Sequence, residues 1–154
     1  MDKPTINNPA ECPLQVMLTA SLQLGILLEQ LLTFTGPADI TISTFSSGEE
    51  FLIKLHSLKK KGLVTRAVCF TDIKAAEKTA RNNTMMKMAY DQVHMCRNHS
   101  KVILISGQRL QVAVLTSQNT TRGNRLESYV IINSEETVTR LKSLLTTYYN
   151  TQIW

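Results

Sequence analysis

The stretch KVILISGQRLQVAVLTS, residues 101–117, carries two strand-forming runs on either side of Gly107 and reads as a β-hairpin. A hairpin of this kind commits the chain to a sheet, and the flanking segments say what covers it. Upstream, DITISTFS sets Ile40, Ile42 and Thr44 against Thr41, Ser43 and Phe45, the period of a strand. Ser47 with Glu50 three residues later reads as a capping-box start, and Phe51, Leu52, Leu55 and Leu58 follow at helical spacing. That helix ends in LKKKG, with lysines at the negative end of its dipole and Gly62 as the stop. VTRAVCF is a second strand, continuous enough to be buried on both faces. Asp72 can cap a helix over IKAAEKTARNN, and a further short helix, MMKMAYD, leads to a third strand beginning near Gln92. Beyond the hairpin, ESYVIIN is another strand, and Ser134 opens a last helix, EETVTRLKSLLTTYY. Helices alternating with strands give an α/β class, with a mixed β-sheet flanked by helices.

The segment CPLQVMLTASLQLGILLEQLLTF is the one candidate for a membrane or targeting role. It follows no basic cluster, and Gln15, Gln23, Glu29 and Gln30 interrupt it, at high cost in a bilayer. Leu14, Met17, Leu18, Ser21, Leu24, Leu28, Leu31 and Leu32 make a helical stripe, so the whole segment reads as a helix packed on the domain, part of its other face meeting a second subunit. Residues 1–12 read as an irregular N-terminal tail and 13–154 as a single domain, with no repeat or linker. Of the 154 residues, 43% are hydrophobic and 19% charged, ordinary for a soluble globular chain. The three cysteines, Cys12, Cys69 and Cys96, are scattered and odd in number, which favours a reducing, cytoplasmic setting. A net charge of +5 fits a polyanionic partner, nucleic acid before membrane.

Polar residues recur where apolar ones would fill a sheet. On a strand, i and i+2 share a face, so His99 and Lys101 are expected to project together, as are Ser117 and Asn119 at the end of the hairpin. Glu127 enters the next strand a short loop later. Imidazole, cation, amide and carboxylate can then converge with no metal ligand and no cofactor. A rival set, His94, Cys96 and His99, requires a bend at Arg97–Asn98, because a regular strand turns His94 and Cys96 away from His99.

HSK, an apolar strand, a hairpin, TSQN and then a glutamate resemble the HxK…GSxN…E motif of the phospholipase D superfamily. The order of elements over residues 36 to 148 is also similar, most specifically over 99 to 132. Three departures stand out. Ser106 occupies the place of the family's aspartate, Thr116 replaces the first residue of its GS pair, and the spacing is longer by about two residues, which a hairpin turn absorbs. The resemblance implies a phospholipase D-like α/β sandwich with one motif per chain, like the small endonucleases of the superfamily that pair two chains into one active site. It implies that His99 of one subunit attacks phosphorus and His99 of the other protonates the leaving oxygen. Lys101, Asn119 and Ser117 would clamp the phosphate oxygens, and Glu127 would hold the opposite ring nitrogen. An isologous twofold interface brings each imidazole to its copy, hence a homodimer. Arg122, Asn124 and Arg125, in the turn TTRGNR, suit a nucleic-acid backbone. Lys59, Lys60 and Lys61 read as helix-end charges instead.

The expectation is therefore a metal-independent, dimeric phosphodiesterase acting on nucleic acid, DNA in preference to RNA, with no membrane partner. The alternative is a degenerate module of the same fold that binds nucleic acid without cutting it. A scaffold for partner proteins is the third reading.

Overall fold

The computed structural model describes residues 4–76 and 80–152. Its strands are β1 (Leu14–Thr19), β2 (Ala38–Thr44), β3 (Val64–Asp72), β4 (Gln92–Cys96), β5 (Val102–Gly107), β6 (Gln111–Thr116) and β7 (Glu127–Asn133). Its helices are α1 (Leu24–Thr35), α2 (Glu49–Lys60), α3 (Ile73–Ala76), α4 (Ala80–Ala89) and α5 (Glu135–Thr151). Among the described residues these strands form one sheet in the order β1-β7-β6-β5-β2-β3-β4. β2, β3 and β4 are mutually parallel, joined by helical crossovers, while β5, β6, β7 and β1 run antiparallel to their neighbours.

The two sheet faces are covered unequally. Ile40, Ile42, Ile103, Ile105, Val112, Val114 and Ile131 pack against Leu27, Leu28, Leu31, Leu52, Leu55 and Leu58 of α1 and α2, the main core. Each such side chain, fully buried, contributes roughly 1.5–3 kcal/mol relative to exposure. The other face carries a smaller cluster, Leu104 and Ala113 under Val138 of α5, with Leu141 and Leu145 packed against it. Ser134 caps α5 as expected, its hydroxyl accepting from the Thr137 amide at 3.1 Å. The hairpin turn closes tightly: a Cβ on Gly107 would stand 2.5 Å from Thr35 Cβ. Arg109, beyond it, donates from Nε to the Phe34 carbonyl and from Nη2 to the Thr33 carbonyl, capping α1.

Three expectations need correction. The N-terminal helical stripe is half strand: β1 spans Leu14–Thr19 and the helix begins only at Leu24. Leu14 and Leu18 satisfy both a helical i, i+4 and a strand i, i+4 spacing. Val16 and the buried Gln15 break the tie toward a strand, with Gln15 held by Asn7 through bonds of 2.9 and 3.0 Å. Ser47 does not cap α2. Gly48 stands at the cap with no side-chain bond, and the Ser47 hydroxyl pairs with Thr120 Oγ1 at 2.8 Å across a single bridge between the segments. MMKMAYD is not a separate helix, because α4 already runs from Ala80 through its methionines. The expected helix over 73–83 lies partly outside the described residues. Asp72 does cap its start, Oδ1 accepting from the Lys74 amide at 2.8 Å. Residues 4–12 form no helix or strand, and they are tied down: Ile6 is buried and Asn133 Nδ2 donates to the Pro9 carbonyl at 3.1 Å.

Candidate active site

The strand directions bring the C-terminal ends of β2, β3 and β6 and the N-terminal ends of β5 and β7 to one edge of the sheet. Ser43 opposes Val102, Val102 opposes Leu115, and Thr116 opposes Tyr129. Ligands of open α/β sheets bind beyond the carboxyl ends of such strands.

His99 and Lys101 meet at this edge, but not by sharing a strand face as the sequence spacing implied. β5 begins at Val102, and residues 97–101 form a loop. Asn98 makes that loop. Its Nδ2 donates to Ser43 Oγ at 2.8 Å, to the Phe70 carbonyl at 3.0 Å and, more weakly, to the Thr44 carbonyl at 3.4 Å. Its Oδ1 accepts from the Ser100 amide at 2.9 Å and from Ser100 Oγ at 2.7 Å. Its own amide donates to Asp72 Oδ2 at 2.9 Å, so the carboxylate that caps α3 also pins the loop. The half-buried Asn98 thus ties β2 and β3 to Ser100, two positions on, and His99 between them is left exposed with its ring 5.5 Å from that of Phe45. Lys101 Nζ donates to the His99 carbonyl at 2.7 Å and lies 3.4 Å from His99 Nδ1.

Ser117 and Asn119 lie past the end of β6 and diverge. The Ser117 hydroxyl donates to the Glu127 carboxylate and accepts from the Ser128 amide at 3.0 Å. Asn119 turns to β2, where its Oδ1 accepts from the Phe45 amide at 3.2 Å. Its Nδ2 has no protein partner among the described residues. The chain therefore holds His99 with Lys101 and Ser117 with Glu127, and ties Asn119 to the backbone of Phe45, whose ring lies 5.5 Å from that of His99. Among the described residues, Glu127 makes no bond to His99. Ser106, in the place of the family's aspartate, sits at the opposite end of β5, facing Asp39 and Gln111.

Behind β7 the fully buried Tyr129 hydroxyl lies 2.7 Å from Gln118 Oε1 and 2.9 Å from the Leu22 carbonyl. Burial, and then the nearby Glu127 charge, push this phenol up to about 12. Gln118 Nε2 reaches Gln23 Oε1 at 3.4 Å. Gln23 in turn brackets Gly123, donating to its carbonyl at 2.7 Å and accepting from its amide at 3.2 Å. The loop so bracketed carries Arg122, Asn124 and Arg125, all exposed; Arg122 stands 3.9 Å from Glu50 in a solvated pair.

His94 is wedged between Phe70 and Tyr149 of α5, with ring centroids 4.9 and 4.5 Å away. Burial, with Arg66 adding to it, lowers its pKa. Cys96 is buried, and no three His, Cys, Asp or Glu side chains among the described residues are placed to share a metal ion. No helix among them is long and apolar enough to cross a membrane.

Asn98, Asp72, Phe45 and Gln23 were not picked out from the sequence as site residues. The local half of the Asn98 motif is legible, since an Asn accepting from the amide two residues on is an Asx-turn. Its partners at Ser43 and Phe70 are 55 and 28 positions away.

No protein-family model matches the sequence, and no curated protein does. Solved structures do. NucT from Helicobacter pylori superposes with a TM-score of 0.66 at 14% identity, over 90% of this chain and 97% of that one. Nuc from Salmonella typhimurium, a phospholipase D family member, gives 0.63 at 15% identity, over 89% and 93%. TrmBL2, an archaeal chromatin protein described with a novel mode of DNA binding, gives 0.55 at 10% identity, over 90% of this chain and 52% of that one. The α/β sandwich expected from the HSK, TSQN and Glu127 pattern is the fold of these phospholipase D-like structures.

Proposed function

We propose that the protein is a phosphodiesterase of the phospholipase D superfamily, endonuclease-like, that cleaves nucleic acid, DNA in preference, as a homodimer with a shared active site. The observation that carries the reading is the exposed His99–Lys101 pair, fixed by Asn98 at the sheet edge where Asn119 and the Ser117–Glu127 pair also end.

In this reading His99 Nε2 of one subunit attacks phosphorus. The P–O bond to the leaving sugar breaks as the second subunit's imidazole gives its proton to that oxygen. The same imidazole then takes a proton from water, the hydroxide displaces His99 from phosphorus, and both rings return to their starting state. Lys101 Nζ and Asn119 Nδ2 hold the non-bridging oxygens, whose charge grows in the transition state. Glu127 accepts a hydrogen bond from the Nδ1–H of the attacking ring, exchanging its bond to Ser117 for one to the imidazole, and Ser117 is then released to donate to phosphate. Arg122, Asn124 and Arg125 contact the polynucleotide backbone on either side. Ser106, paired with Asp39 and Gln111 toward the other end of β5, takes no part in these steps as proposed. The free thiols of Cys12, Cys69 and Cys96 agree with a reducing, cytoplasmic setting.

A second reading, a binding module that holds DNA uncut, is favoured by the fold shared with TrmBL2. One assay separates the two. Parent and His99→Ala protein are incubated with single- and double-stranded DNA in EDTA. Cleavage by the parent alone supports the enzyme; binding by both with no cutting supports the module.

A further inference from the structure

We infer that the hollow between α5 and strands β2, β3 and β4 binds a nucleoside monophosphate, at a site separate from the His99 edge.

The register defines the hollow. Asp39 opposes Arg66, Thr41 opposes Val68, and Val68 opposes Gln92; one step further on, Phe70 opposes His94. Ile40 and Ile42 belong to the main core, so Asp39, Thr41 and their partners look out on the other face, which α5 crosses. The helix is seated on Leu104 and Ala113 of β5 and β6. Near its end, Tyr149 reaches across to Phe70 and His94, with ring centroids 6.1 and 4.5 Å away. Helix and strands together line a hollow of about 230 Å³. It shares no residue with the proposed catalytic set, and Asp39 and Arg66 stand at the opposite ends of β2 and β3 from Thr44 and Asp72.

The lining specifies the ligand. Thr41, on the floor, is 4% exposed, yet its hydroxyl makes no hydrogen bond among the described residues. Buried polar groups are nearly always partnered, so an unpartnered hydroxyl lining a cavity marks a place for a ligand atom. Two cations line the same space. Lys142 Nζ has no partner among the described residues, and Arg66 donates from Nη2 to the neutral Gln92 amide at 3.0 Å. Neither is in an ion pair there, so an anionic group fits between them. Phe70, His94 and Tyr149 make an aromatic wall. Burial holds the imidazole below its ordinary pKa, leaving it uncharged at neutral pH. Such a wall takes the flat face of a heterocycle. The exposed Asp39 accepts from hydroxyls, as a ribose offers, and repels a further phosphate. One anion, one ring and hydroxyls make a nucleoside monophosphate. The small volume, together with Asp39, disfavours a polynucleotide strand.

The test is titration calorimetry of the full chain with adenosine monophosphate, and with adenosine and inorganic phosphate as its separate halves. The parent should bind the nucleotide with a sub-millimolar Kd, and each half roughly 10-fold more weakly or worse. Lys142→Gln and Arg66→Gln should each weaken nucleotide binding roughly 10-fold. Lys60→Gln removes the same charge from the end of α2 and should leave it unchanged, as should His99→Ala. Thr41→Val is isosteric and should weaken binding about fivefold without lowering Tm, because the hydroxyl has no protein bond to lose. That variant stays folded whatever the two cation variants do. No binding at millimolar nucleotide overturns the inference. So does phosphate binding as tightly as the nucleotide, or affinity that is lost in His99→Ala and kept in Lys142→Gln and Thr41→Val. A parent that binds the nucleotide but cuts no DNA in EDTA leaves this site standing while the phosphodiesterase reading falls.

Discussion

Asn98 offers the sharpest test of how this fold builds its site. Asn98→Ala removes four side-chain bonds of 3.0 Å or less, two to Ser43 and Phe70 and two from Ser100. A net hydrogen bond contributes roughly 0.5–1.5 kcal/mol, and the Ser100 pair, being exposed, turns to water once released. The two inner bonds, together with a strand-end carbonyl left unsatisfied, give a loss of about 2–3 kcal/mol. That is well inside the roughly 5–15 kcal/mol of a typical domain, so the variant folds, with Tm lower by about 4–12 °C. Its loop, though, no longer fixes His99, and a displacement on the order of 1 Å costs about 100-fold in rate. The expected result is kcat down by about that factor with KM nearly unchanged, because Lys101 and the arginine loop still hold the phosphate. Asn98→Asp separates bonding from volume. It is isosteric, but it sets a carboxylate oxygen against the Phe70 and Thr44 carbonyls and near Asp72, so it should be at least as damaging. The measurements are steady-state cleavage of a labelled oligonucleotide and urea denaturation. An aspartate variant within about threefold of the parent, or an alanine variant that loses stability and keeps its kcat, would refute the positioning role.

Other consequences are quicker to check. Lys101→Ala and Asn119→Ala should each lower kcat by about 10²–10³-fold while leaving Tm within a few degrees, read by the same cleavage assay and by calorimetry. Leu28→Ala, in the main core, should cost about 2–5 kcal/mol in urea denaturation. Tyr129→Phe leaves Gln118 Oε1 and the Leu22 carbonyl without their shared donor and should cost about 1–3 kcal/mol by the same measure. Because the folded pKa of His94 is lowered from 6.5, the unfolded chain binds its proton first on acidification. Stability from this group is complete above pH 6.5 and falls as pH drops below it toward the folded value; His94→Gln should flatten that part of a Tm–pH curve.

Strand and helix periods placed most of the sheet, because Ile40/Ile42, VTRAVCF and ESYVIIN are long, one-patterned runs. They failed where two periods coincide, at Leu14 and Leu18, and where a polar residue chose a distant partner over a local one. Ser47 is the clearest case: by spacing it is a helix cap, by position in space it is Thr120's partner 73 residues away. The site shows the same division. His99, Lys101, Ser117, Asn119 and Glu127 are candidates by residue type and order, and the structure sets His99 beside Lys101 and Ser117 beside Glu127. That Asn98 rather than a strand would orient the first two depends on Ser43 and Phe70, whose approach is a property of the closed sheet.

The bracket that Gln23 places around Gly123 has a kinetic and thermodynamic corollary. A tip bearing Arg122 and Arg125 would ordinarily wave, and a polyanion would have to freeze it on arrival. Here the backbone between the two guanidinium groups is already clamped to the start of α1, and a methyl on Gly123 would strike the Gln118 amide at 2.6 Å. In the proposed nucleic-acid complex these arginines would start from a backbone already held by Gln23, leaving mainly their side-chain torsions to be ordered.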